Sequence, residues 1–232
     1  MKDKVVIVTG AGRGIGKAIA LRFAEEQCRL VLAARTKKEI DKVADEVRRG
    51  GAEALAVPTD VSQEDQVDRL VKTAHKAFGR IDVLVNNAGF GIFSKVAEMK
   101  TGDFQSMFDV NVRGVFFCTR AVLPHMTEQN DGVIVNIASL AGRNAFIGGA
   151  GYCATKWALI GFARSLMLEV REHNIRVITI CPGSVDTSFG RDEGKKKTIL
   201  QAQDVAETVL SAVRMPARAM VSEIDIRPTN PK

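Results

Sequence analysis

The sequence predicts one α/β domain, a doubly wound parallel sheet of seven strands with helices on both faces. Two observations carry this. Short β-branched apolar runs alternate with longer stretches whose apolar residues recur at helical spacing. No Pro/Ser-rich linker, internal repeat or low-complexity stretch interrupts that beat, so residues 1–232 read as a single domain.

The first strand is Lys4-Val5-Val6-Ile7-Val8, a run of the kind found in buried parallel strands. It leads into Thr9-Gly10-Ala11-Gly12-Arg13-Gly14-Ile15-Gly16, and a helical pattern follows through Ile19, Ala20, Phe23 and Ala24. Strand, glycine loop and helix in that order form the fingerprint of a Rossmann fold. Glycines let the backbone turn and come close, and the helix N-terminus offers free N–H groups to phosphates. Gly10, Gly12, Arg13, Gly14, Ile15 and Gly16 are therefore candidates for holding a dinucleotide pyrophosphate. The spacing is G-x-x-x-G-x-G with Gly12 extra, in place of the usual G-x-G-x-x-G. The next strand, Arg29 to Ala33, ends at Ala34-Arg35-Thr36. A carboxylate there would hold the 2′-hydroxyl of NAD, whereas an arginine accommodates the 2′-phosphate of NADP. With Arg35 at that end, Arg13 in the loop and no acid, NADP(H) is expected over NAD(H).

Thr36-Lys37-Lys38-Glu39 reads as a capping box opening a helix that closes at Gly50-Gly51. A strand from Ala54 to Val57 leads to Pro58-Thr59-Asp60-Val61, and Ser62 is expected to cap a helix ending before Gly79. Ile81 to Val85 is a fourth strand, followed by Asn86-Asn87-Ala88-Gly89. Asp60 and Asn86 each follow a strand, where ligands of open α/β sheets lie, and both residue types also form turns. A helix over roughly 103–126, a strand from Gly132 to Ala138, a helix over 150–172, a strand from Val177 to Ile180 and a last strand, Ala219 to Ile226, complete the pattern. The only tyrosine, Tyr152, stands four residues before Lys156. On a helix the two share a face, so the cation would lower the pKa of the phenol and make it an acid/base for a substrate oxygen.

The apolar and charged fractions, 46% and 26%, are those of an ordinary globular protein. No segment is apolar enough for a bilayer, and the first apolar run leads straight into Thr9-Gly10 instead of a leader's cleavage site. A cytoplasmic location without a membrane partner is expected. Cys28, Cys118, Cys153 and Cys181 are scattered and read as reduced core thiols, with no metal site. The net charge of +6 has one tight cluster, Lys195-Lys196-Lys197, without interleaved aromatics, so no nucleic-acid partner is expected.

Taken together, Thr9-Gly10-x-x-x-Gly14-x-Gly16, Asn86-Asn87-Ala88-Gly89, Ser139 thirteen positions before Tyr152, and Tyr152-x-x-x-Lys156 resemble the short-chain dehydrogenase/reductase family over nearly the whole chain. Asn111, in Asp109-Val110-Asn111-Val112, and Pro182-Gly183-Ser184-Val185-Asp186-Thr187 add to the likeness. The resemblance implies that Tyr152 is the general acid for carbonyl reduction, that Lys156 lowers its pKa and holds the nicotinamide ribose, that Ser139 bonds the substrate oxygen and that Asn111 holds a relay water. It implies adenine contacts from Asp60 and Val61, a ribose contact from Asn86, and further cofactor contacts from Ala88, Gly89, Pro182, Gly183, Val185 and Thr187. The tail after Ile226 departs from that of 3-oxoacyl-carrier-protein reductases. It is more similar to that of reductases acting on small hydroxy acids, hydroxy amino acids or diverse carbonyls.

The expected activity is thus NADP(H)-dependent interconversion of a small-molecule carbonyl and an alcohol. A non-catalytic NADP(H)-binding regulator on the same scaffold is the alternative, and the presence of all four catalytic residue types counts against it. Two further expectations follow. Residues 188–200 are polar and contain Gly190 and Gly194, as a substrate lid would. Apolar residues on more than one face of the helices near 103–126 and 150–172 predict a homo-oligomer, and the family resemblance implies a dimer or tetramer. Those residues are Phe104, Phe108, Val112, Phe116 and Phe117, with Leu159, Phe162, Leu166 and Met167.

Overall fold

The computed structural model describes residues 1–187 and 199–230. Its strands are β1 (Val5–Thr9), β2 (Arg29–Ala34), β3 (Ala54–Pro58), β4 (Val83–Asn86), β5 (Gly132–Ile137), β6 (Ile175–Pro182), β7 (Val185–Asp186), β8 (Leu200–Gln201) and β9 (Glu223–Ile226). Seven of them form one parallel sheet in the order β3-β2-β1-β4-β5-β6-β9, and β7 pairs with β8 apart from it. The expected doubly wound architecture is therefore present. The chain builds outward from β1 to β3 and then restarts at β4 on the other side of β1, which opens a crevice at the carboxyl ends of β1 and β4.

Alternate residues of each strand feed opposite cores. Val6 and Val8 join Leu30 and Leu32 under α1 (Gly14–Glu25), α2 (Lys37–Arg49) and α7 (Ala202–Val213), through Ile19, Phe23, Ile40, Val47, Val205 and Val209. Val5 and Ile7 join Val31, Leu84 and Ile134 on the other face. There α3 (Glu64–Phe78), α5 (Gly114–Gln129) and α6 (Ala150–Val170) contribute Leu70, Phe117, Val122, Ala163 and Leu166. Helix α7 has no counterpart in the sequence reading.

Several local expectations are corrected. Thr36 precedes α2 but makes no side-chain cap, and the reciprocal capping box stands instead at α7, between Gln201 and Asp204. Ser62 does not cap α3, because Asp60 Oδ1 accepts from both its N–H (3.0 Å) and its hydroxyl (2.7 Å), and the helix begins two residues later. The helix expected over 103–126 is interrupted. It comprises α4 (Thr101–Phe108), a π-turn over Asp109–Arg113, and then α5. The last strand is only four residues long, pairing with Thr179 to Pro182 of β6. Residues 188–198 of the expected lid lie outside the described residues, and Leu200 at its end is buried and paired with Val185.

Candidate active site

Thr9, at the end of β1, ties the glycine loop to the turn after β4. Its hydroxyl donates to the Val85 carbonyl (3.2 Å) and accepts from the N–H groups of Asn87 (3.0 Å) and Ala88 (3.1 Å). Asn87 answers by donating its amide to the carbonyl oxygens of Thr9 (2.9 Å) and Gly10 (3.3 Å). This packing explains the glycines. A Cβ on Gly10 would stand 2.8 Å from Asn87 Nδ2, and one on Gly16 would strike the Gly10 carbonyl. Gly10 (φ 64°) and Gly14 (φ 55°) also adopt the left-handed conformation that other residues resist. Ile15 is half-buried against the core, and α1 opens here without a side-chain cap, so its first N–H groups have no side-chain partner. Thr187 closes the same spot from the far side, its methyl 3.5 Å from where a Gly14 Cβ would be. Pro182, Gly183 and Val185 lead to it, with the Gly183 N–H anchored on Ile226 O (2.8 Å).

Arg13 and Arg35 flank this loop. Both are exposed, and neither side chain has a hydrogen bond or ion pair among the described residues, whereas Arg22, Arg80 and Arg143 are all paired. Glu39 is also present here, its Oε2 2.8 Å from the position of a Gly12 Cβ. The capping assignment had hidden it.

The remaining nucleotide-side residues divide. Ala88 and Gly89 border the crevice, and Val61 packs so closely on Gly114 that a Cβ there would lie 2.8 Å from Val61 Cγ2. Asp60 forms the turn described above. The Asn86 side chain is buried between the sheet and α5, donating to Asn136 Oδ1 on β5 (3.0 Å) and to Thr119 Oγ1 on α5 (3.2 Å). Its neighbour Asn87, quoted only as part of a motif, is the residue that holds the loop.

Tyr152 and Lys156 lie one turn apart near the start of α6, both buried. Lys156 Nζ donates to Ile137 O (2.9 Å) and sits 5.7 Å from the centre of the Tyr152 ring. Ser139 follows β5, and its Oγ accepts from Ala141 N–H (3.1 Å) while also reaching the Tyr152 hydroxyl. Asn111 occupies the π-turn. Its Oδ1 accepts from Phe90 N–H (3.0 Å), and its Nδ2 donates to Phe90 O (2.8 Å) and Thr155 Oγ1 (3.1 Å). A Cβ on Gly89 would meet Asn111 Oδ1 at 3.1 Å and Lys156 Nζ at 3.8 Å, so both groups converge on that glycine. The structure thus gathers all four expected residues at the carboxyl end of the sheet.

Electrostatics correct one expectation. Tyr152 is not held low by Lys156. Burial pushes the phenol up to about 12, and the Ser139 hydrogen bond only partly opposes it. The apolar surroundings explain this, since Met107, Ala141 and Cys153 pack about the ring with Phe90 and Ile92. Burial likewise brings Lys156 down to about 8. At neutral pH the phenol keeps its proton and the lysine keeps its charge.

Residues 4–198 match the short chain dehydrogenase family, and the chain belongs to that family. An uncharacterized oxidoreductase of Staphylococcus aureus is 38% identical over 232 residues, with 98% of each chain covered. An alcohol dehydrogenase of the archaeon Thermococcus sibiricus, solved with 5-hydroxy-NADP, superposes with a TM-score of 0.93 at 32% identity, covering 100% of both chains. A 7α-hydroxysteroid dehydrogenase solved with NADH and 7-oxo glycochenodeoxycholic acid gives 0.92 at 30% identity, covering 99% of this chain and 94% of that one. Among the described residues no helix is long and apolar enough to cross a membrane.

Proposed function

We propose that the protein is an NADP(H)-dependent oxidoreductase that interconverts a carbonyl and a secondary alcohol, with Tyr152 as general acid/base. The observation that carries this reading is the convergence of Tyr152, Ser139, Lys156 and Asn111 beside a loop whose Gly10 and Gly16 leave no room for a Cβ. The donor set fits the cofactor. Gly10 and Gly16 let the loop pack against Asn87 and its own backbone with no room for a Cβ, and Gly10 and Gly14 turn at positive φ. The uncapped start of α1 offers N–H groups to a pyrophosphate, and Arg13 and Arg35 are free among the described residues to take a 2′-phosphate. The NADP-type ligand of the Thermococcus enzyme supports this choice over NAD, the ligand form in the steroid dehydrogenase.

When bound, the reduced nicotinamide would supply the hydride. This chain's residues do the rest. The Ser139 hydroxyl donates to the carbonyl oxygen and orients it, and the Tyr152 hydroxyl gives that oxygen its proton as the carbon is reduced. The Lys156 ammonium, fixed by Ile137 O, stabilises the tyrosinate left behind and binds the ribose. Asn111 is a positioning residue as much as a relay, since Phe90 and Thr155 use both ends of its amide.

A homo-oligomer is part of the proposal. Trp157 (56% exposed) and Leu168 (61%) on α6, with Phe104 and Phe116 on α4 and α5, leave apolar surface without cover in one chain. Purified protein should oxidise NADPH with at least one member of a panel of ketones, keto acids, acyl thioesters and sugars. Tight NADPH binding with no turnover of any of them would favour the regulator reading.

A further inference from the structure

Tyr152 does not face open solvent alone. The loop after β4 crosses it so closely that a Cβ on Gly91 would stand 3.0 Å from Tyr152 Cδ2. Phe93 then packs edge-on to the tyrosine ring, with centroids 5.6 Å apart and planes at 87°. On its other side Phe93 meets Phe146, again at 5.6 Å, in an edge contact of 64°. Phe146 belongs to the turn before α6, and the two loops are stitched together by Ser94 N–H donating to Gly148 O (2.9 Å). The turn bends there through Gly148, at φ 80°.

This aromatic wall is held firmly yet left half uncovered. Phe93 is 47% exposed, Phe146 48%, and Ile147 beside it 92%. Rings locked by their neighbours and open on one side lose free energy to water, and an apolar partner recovers it. The charged residue in the turn, Arg143, is engaged elsewhere, donating to Glu223 (2.5 Å) and Asp225 (2.6 Å). Lys95, two residues beyond Phe93 in sequence, has no side-chain hydrogen bond or ion pair among the described residues. Among the described residues, the two loops that flank the Tyr152 ring therefore present rings, beside the Ser139 hydroxyl.

We infer that Phe93 and Phe146 form a specificity wall that selects ketones and secondary alcohols carrying an aromatic or alicyclic ring, in preference to small keto or hydroxy acids. The inference rests on the assignment of Tyr152 as the acid that meets the substrate oxygen. A ring attached to that carbonyl carbon would lie against Phe93, and its burial would serve binding more than chemistry, appearing chiefly in KM.

The test compares kcat/KM with NADPH for acetophenone, cyclohexanone, butanone and pyruvate in the wild type, Phe93→Ala and Phe146→Ala. The wild type should prefer acetophenone and cyclohexanone to pyruvate by about a hundredfold or more. Each variant should lower the acetophenone-to-butanone ratio by about tenfold, the lower part of the range for apolar pocket contacts. Phe146 does not touch Tyr152 in the ring contacts above, so its variant separates lost recognition from a displaced tyrosine. Pyruvate equalling or beating the ring ketones, or a ratio unchanged in both variants, overturns the inference. If no ketone is reduced, the carbonyl-reduction reading fails by itself. Calorimetric titration of acetophenone into the protein with NADPH then decides the wall: binding weakened about tenfold in Phe146→Ala upholds it, and no binding to the wild type overturns it.

Discussion

Tyr152 and Lys156 are four residues apart on one helix, and burial drives their proton affinities apart, the phenol up to about 12 and the ammonium down to about 8. In the proposed carbonyl reduction the tyrosine must hold its proton, and its raised value keeps that proton at neutral pH. The lysine charge proposed to stabilise the tyrosinate is what disappears first. Ketone reduction should therefore lose kcat/KM as pH rises through about 8, and a profile flat to well above that value would contradict the assigned role. The same depressed value acts on folding. Between about 8 and 10.5 the unfolded chain retains a proton that the folded chain has released, so this residue makes stability rise with pH in that window. At the other end of the crevice, Arg35→Ala should reduce the preference for NADPH over NADH by about tenfold or more, the strength of a hydrogen bond to a charged group. Fluorescence titration with both nucleotides measures it, and equal affinities in the wild type would remove the basis for the cofactor choice.

At the scale of elements, the glycine loop and the π-turn position everything else. Gly16→Ala would place a methyl group inside contact distance of the Gly10 carbonyl and against Asn87 Nδ2, both fixed by the Thr9 network. The loop must shift, so this variant should lose NADPH binding at least about tenfold while keeping its far-ultraviolet circular dichroism. Unaltered binding would mean that the loop is not the pyrophosphate cradle. The strands and the loop were legible in the sequence because apolar runs and glycines report directly on burial and backbone approach. Other features depend on partners distant in sequence. Asp60 draws Ser62 away from α3, Glu39 turns toward Gly12, and the Asn86 amide finds Asn136 across the sheet. The π-turn at Asn111 was hidden for the same reason, since Phe90 and Thr155 hold it from other elements. Lone spacing also misled on the Tyr152 pKa, which burial controls.

For the whole molecule, the apolar helix residues picked out by periodicity serve two purposes. Phe117, Leu159 and Leu166 fill the monomer's own core, whereas Phe104 and Phe116 remain exposed on α4 and α5. Trp157 and Leu168, which periodicity did not pick out, are exposed as well on α6. Multi-angle light scattering at micromolar concentration should give a mass of at least a dimer, and Trp157→Lys with Leu168→Lys should shift it toward the monomer. A monomeric wild type would leave those residues without the proposed cover. The net charge of +6 suits an anionic cofactor and matters for its encounter more than for the fold.

The proposed chemistry depends most on one oxygen atom, that of Tyr152. Tyr152→Phe keeps the ring and its edge contact with Phe93 while removing the proton donor. Steady-state NADPH oxidation with the best carbonyl substrate, paired with NADPH titration of both proteins, should show kcat lowered at least about a hundredfold with cofactor affinity little changed. Turnover retained by the variant would contradict the proposed chemistry.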